Sequence, residues 1–150
     1  RTALTGIADR YDWVFVDCPP ELGPATRNAL VAADLALVVA EPAMLSLRGL
    51  EAVLAVLDDV WATTNPSLDL AGVVVNRTPA ASSEALVRIE DLHRLAGKRA
   101  VWEPHIPQRV AIARALAERL PVHALGWRAG DAPEVFDALY AKLRRLARRR

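Results

Sequence analysis

With one cysteine in 150 residues, Cys18, the chain has no internal disulfide. No cationic start leads into a short apolar core, and together with the lone thiol this sets the expected compartment as the cytoplasm. The longest apolar runs contain charges or stop well short of the ~20 residues that cross a bilayer, so a soluble protein is expected. No G-x-x-x-x-G-K-[ST] pattern or other lysine-bearing glycine-rich loop occurs, so no phosphate cradle is legible. His93, His105 and His123 are scattered and no second cysteine joins them, which argues against a zinc site. Cys18 and Arg27 lack the spacing of a phosphatase loop, and no histidine lies near Cys18 in sequence, so the thiol reads as a small packing residue. Trp13, Trp61, Trp102 and Trp127 do not alternate with basic residues, which excludes a base-stacking platform and leaves them as packing residues.

What is present suits one domain over residues 1–150, long enough to bury roughly two-thirds of the surface of the unfolded chain. The net charge of +1 conceals an asymmetry: residues 142–150 hold six cations and no acid, whereas residues 1–141 carry 13 bases against 18 acids. A basic end on an acidic body points to a polyanionic partner, nucleic acid or a membrane surface. The same cations also suit a solvated helix end, where they complement the helix dipole.

Strand and helix signals alternate, which predicts an α/β fold built on a doubly wound, mostly parallel sheet flanked by helices. The expected strands are 13–17, 35–40, 70–76 and 100–102. Helices are expected over 24–33, over 47–60 with Ser46 as its cap, from Ser82 or Ser83 to Leu95, from Pro107 to Leu120, and from Asp131 onward. Glu84 with Arg88 and Glu90 with Arg94 have the spacing of i,i+4 ion pairs, and Asp131-Ala132-Pro133-Glu134 has that of a capping box.

Trp13-Val14-Phe15-Val16-Asp17 reads as a buried strand ending on a carboxylate, followed by a Cys18-Pro19-Pro20 turn. Ligands of parallel sheets gather outside the carboxyl ends of the strands, where Asp17 would hold a divalent cation, often through a coordinated water. From Asp17 to Asp34 the sequence follows D-C-P-P-x-L-G-x-x-T-x-N-A-L-x-A-A-D. This run closely resembles the Walker B and switch II region of the ParA family of bacterial partition ATPases.

The resemblance covers nearly all of this chain but only the later portion of the family's P-loop NTPase domain, whose phosphate loop and switch I lie upstream. It implies ATP and Mg2+ as cofactors, Asp17 as the metal-linked acid, and Cys18, Pro19 and Pro20 as the stiff start of a γ-phosphate-sensing segment. Asn76-Arg77 resembles the family's adenine-recognition position, and an Asn amide offers the donor and acceptor that match adenine N7 and N6. Arg77 would stack on the base or support the loop, and Pro107-Gln108 resembles the second adenine wall. Asn76 also suits a plain turn, and Pro107 a plain helix start.

The resemblance further implies a homodimer formed with ATP, nonspecific DNA binding on the nucleoid, and a centromere-bound partner protein that stimulates turnover. Arg144, Arg145, Arg148 and Arg149 on the last helix are the candidate DNA contacts. A membrane-binding helix places bulky Trp, Phe and Leu opposite its cations, but the stretch after Tyr140 offers only Leu143 and Leu146, so DNA is favoured. The isolated chain is expected not to hydrolyse ATP. A MinD-like positioning ATPase and a non-catalytic scaffold domain remain as alternatives.

Overall fold

The computed structural model describes residues 4–6 and 10–147, the side chain of residue 147 excepted. Among these the chain is α/β, with three strands in the order β1-β2-β3 forming a parallel sheet flanked by helices. The elements run α1 (Pro24–Ala32), β1 (Leu35–Ala40), α2 (Met44–Thr63), β2 (Asp69–Val75), α3 (Ser83–Ala96), β3 (Val101–Trp102), α4 (Val110–Glu118), a 3-10 segment (Val122–Ala129) and α5 (Ala132–Ala147). Two compact units are present, the first of residues 1–36 and 48–70, the second of residues 37–47 and 71–150.

In the first unit, Pro24 opens α1, where a missing N–H costs nothing and the fixed φ suits the helix. Ala36, Leu57, Val60 and Leu68 form the core, with Leu30, Val31, Val53, Leu54 and Trp61 packed around it. Asn65, 1 % exposed, satisfies the end of α1: its Nδ2 donates to the Leu30 carbonyl at 3.0 Å and to the Ala33 carbonyl at 2.8 Å. Those carbonyls belong to the last turn, where no intrahelical donor is available.

The second unit holds the buried stretch Ala71–Val75 of β2, read correctly from its apolar run. Val73 and Val74 pair with Val101 and Trp102 of β3. Gly72 lets the Trp102 indole lie against the strand, with Nε1 donating 3.0 Å to the Ala71 carbonyl. Ser82 caps α3 as expected, its hydroxyl accepting from the Ala85 N–H at 3.1 Å. Further along, Ala115, Leu125 and Ala129 form a smaller core against which α4 and the 3-10 segment pack. That segment, not anticipated from the sequence, turns sharply at Gly126 (φ 57°, ψ −136°), a conformation a side chain would oppose.

Several expectations need correction. Residues 13–17 are not a strand, and Val14, Phe15 and Val16 are exposed: the residue types favour an extended chain, but a strand needs a neighbour for its backbone groups, and the described residues supply none here. Helix α2 begins at Met44 and runs to Thr63, so Ser46 is inside it; its hydroxyl accepts from the Glu41 N–H at 3.3 Å instead of capping. Helix α4 starts only at Val110, because Pro107 is held in a parallel bridge with Thr78. On α3, Arg88 and Arg94 both pair with Asp91, at 2.9 and 3.0 Å, rather than with Glu84 and Glu90. The Asp131 carboxylate reaches Arg109. Cys18 and Trp127 are exposed and do not pack, Trp127 being 91 % exposed.

Candidate functional site

In the first unit, Asp17, Cys18, Pro19 and Pro20 form an exposed, extended segment leading into α1. Two prolines fix φ and remove two donors, so the segment lacks the means to pair as an interior strand. Its anchor is Thr26, 8 % exposed, whose hydroxyl donates to the Glu21 carbonyl at 2.6 Å, with the Pro19 carbonyl 3.5 Å away. The Thr26 position of the D-C-P-P-x-L-G-x-x-T pattern thus ties the proline turn to the first turn of the following helix. Asp17 has its carboxylate in solvent rather than among packed side chains, as a water-mediated cation ligand requires.

In the second unit the structure brings Asn76, Arg77, Pro107 and Gln108 together at the carboxyl ends of the strands. The Asn76 N–H donates to the Ala40 carbonyl at the end of β1 (2.8 Å). Beyond β2, the Ile106 N–H donates to Val75 (2.8 Å), Thr78 to Ile106 (2.9 Å) and Gln108 to Thr78 (2.9 Å). This ladder prolongs the β2–β3 pairing past the end of β3 and fixes Pro107 beside Thr78.

Arg77 adopts a left-handed backbone, φ 54°, uncommon for a residue with a Cβ, and its N–H donates to the Asn76 Oδ1 at 2.9 Å. That bond orients the carboxamide and leaves Nδ2 without a partner among the described residues. The Arg77 guanidinium pairs with Glu41 at 3.2 Å. Glu41 was not singled out from the sequence, and its position one residue past a strand end was the signal available. Two residues beyond Asn76, the Thr78 hydroxyl is buried and has no hydrogen-bond partner.

The last helix, α5, ends in exposed cations. Arg145 donates from Nε to the Ala141 carbonyl at 3.2 Å, and the Arg144 guanidinium lies 5.8 Å from the Tyr140 ring centroid. Arg148 and Arg149 lie outside the described residues. No helix of the described residues is long and apolar enough to cross a membrane.

The histidines are not all scattered. Helix α3 packs on β3, and His93, Glu103 and His105 meet there with one donor atom from each within 4.8 Å of the others. Burial pushes the His105 imidazole below its usual pKa, His93 adds to that, and Glu103 opposes it.

A family profile described as an AAA domain matches residues 1–70. Over 113 residues the chain is 33% identical to the chromosome partitioning protein ParA of Myxococcus xanthus, an overlap of 75% of this chain and 40% of that protein. In sequence the chain is thus similar to ParA-type partition proteins. It spans about two-fifths of that relative's length. Among solved structures, apo McdA of Cyanothece superposes with a TM-score of 0.82 at 19% identity, over 95% of this chain and 57% of that one, which shows the shared fold. Cobyrinic acid a,c-diamide synthase from Mycobacterium smegmatis, with bound ADP and magnesium, superposes with a TM-score of 0.63 at 27% identity, over 85% of this chain and 48% of that one. The shared fold agrees with the parallel sheet with flanking helices anticipated from the sequence.

Proposed function

We propose that this chain supplies the base-binding wall and the switch segment of an ATP-dependent partition ATPase that dimerises with ATP bound and holds DNA without sequence preference. The observation that supports the reading is the ladder that joins Asn76–Thr78 to Ile106–Gln108 at the strand ends, with an oriented carboxamide whose Nδ2 has no partner among the described residues. Asn76 would hold the adenine edge, Arg77 would stack on the base or brace its loop, and Pro107 with Gln108 would close the other side. Asp17 would hold Mg2+ through water, and Cys18, Pro19 and Pro20 would respond to the γ-phosphate. When bound, ATP with Mg2+ supplies a transferable phosphoryl group; the residues here orient the base and place one acid.

Arg144, Arg145, Arg148 and Arg149 would meet DNA phosphates, and a centromere-bound protein would be the stimulating partner in the nucleoid. The chain alone is proposed not to turn over ATP, since no lysine-bearing phosphate loop occurs in it. The test is titration of this chain with a fluorescent ATP analogue modified on the ribose. Binding that weakens about tenfold in Asn76→Ala supports the reading, by the loss of a bidentate base contact. Equal binding by both chains, or Mg-dependent hydrolysis abolished by Asp17→Ala, overturns it.

A further inference from the structure

His93 lies on the last turns of α3, Glu103 directly follows β3, and His105 sits two residues further on. The three share no residue with the strand-end ladder, which begins at Ile106. Two ring nitrogens there, His93 Nδ1 and His105 Nε2, are buried and have no hydrogen-bond partner. Buried polar atoms nearly always find a partner, so two orphans in one cluster call for a ligand that accepts nitrogen lone pairs. We propose that His93, Glu103 and His105 form a binding site for a divalent first-row transition ion, with Zn2+ as its occupant.

Two imidazoles and one carboxylate are the donor set of three-ligand zinc sites that keep one position open. Hard cations such as Mg2+ and Ca2+ prefer all-oxygen ligands and are disfavoured by the nitrogens. A tetrahedral ion with bonds of about 2.0–2.1 Å sets its donors about 3.4 Å apart. The present spread, up to 4.8 Å, closes on that value by side-chain rotation, for which the exposed Glu103 is free. His93 and Glu103 border a hollow of about 350 Å³ also lined by Lys98, Arg99 and Lys142. An ion held there would have water or a small anion as its fourth ligand, the latter favoured by the neighbouring cations.

The test is Zn2+ binding to the full 150-residue chain, measured by competition with a chromogenic chelator, together with the visible spectrum of the Co2+-loaded chain. One Zn2+ per chain is expected. Glu103→Gln, at an exposed position that leaves the fold intact, should weaken binding by about tenfold or more, and His93→Gln and His105→Gln should abolish it. His123→Gln is the control, because His123 is engaged with Asp137 at 3.0 Å and lies outside the cluster. Zn2+ affinity unchanged in Glu103→Gln, loss of the ion in His123→Gln, or no binding by the unaltered chain would each overturn the proposal. If a histidine variant fails to fold, the Co2+ spectrum of the unaltered chain decides: bands of tetrahedral or five-coordinate nitrogen ligation support the site, and the spectrum of the hydrated ion overturns it.

Discussion

A methyl group on the Gly72 Cα would stand 2.0 Å from the Trp102 Nε1 and 2.7 Å from the Ala100 carbonyl. The indole is 2 % exposed and hydrogen-bonded to the neighbouring Ala71 carbonyl, so neither it nor the backbone has room to give way. Gly72→Ala is expected to cost about 3 kcal/mol, the upper range for overpacking a core, read as a lower midpoint in urea denaturation. A midpoint unchanged from the original would show that β2 and β3 are less closely fitted than described.

Thr26 holds the proline turn to α1 through one short hydrogen bond to Glu21. Thr26→Val keeps the shape and removes the donor, which leaves a carbonyl unmatched at a cost of about 1–2 kcal/mol. The expected signature is local: faster proteolysis at residues 17–23 and faster amide exchange in the first turn of α1, with the exchange of β2 little altered.

The Arg109 guanidinium, donating to both Asp131 oxygens at 3.3 and 3.1 Å, holds that carboxyl below its ordinary value of 3.8. A depressed folded pKa means that the unfolded chain takes up the proton first as pH falls. The pair's support is therefore complete above about pH 4 and fades as pH drops through the lowered value. Arg109→Ala should return Asp131 to the ordinary carboxylate range in an NMR titration and remove this component of the acid-side stability slope. Both groups are in solvent, so added salt should weaken the effect.

DNA binding by α5 is checked through its salt dependence. With four phosphate contacts, log K plotted against log salt should fall with a slope of about −3.6, and the double variant Arg144→Ala, Arg145→Ala should lower its magnitude by about 1.8. A slope near zero, or one the variant does not change, would remove DNA from the proposed function.

What the sequence revealed were features decided by neighbours along the chain. The apolar runs at Leu35–Ala40 and Asp69–Val75 became strands, and the Ser82 hydroxyl became a cap, because periodicity and capping are local signals. What it concealed were choices made by distant partners. Trp13–Asp17 has the composition of a strand but no adjacent backbone among the described residues. Pro107 has a φ suited equally to a helix start or an extended bridge, and the Thr78 backbone decided for the bridge. Arg88 chose Asp91 because both side chains are about four-fifths buried, where an ion pair is less screened than at Glu84 on the surface.

The candidate site shows the same division. Asn76 was legible at the end of an expected strand and Pro107 only through its resemblance to an adenine wall at a helix start, whereas their meeting depends on a ladder between segments some 30 residues apart. Glu41 was missed because it reaches Arg77 from another strand end, and the His93–His105 pair was missed because α3 and the chain after β3 approach only in three dimensions. Twelve residues of separation look like scatter until a helix folds back over its strand.

Trp127 and Trp102 experience opposite surroundings, one 91 % in water and the other 2 %. With the partly exposed Trp13 and Trp61 replaced by Phe, iodide discriminates between these two indoles: the charged quencher extinguishes the long-wavelength emission of Trp127 and leaves the blue component of Trp102. Such a chain carries its own pair of optical reporters, one for the turn at Gly126 and one for the packed interior, and needs no attached dye to tell a local rearrangement from the melting of the sheet.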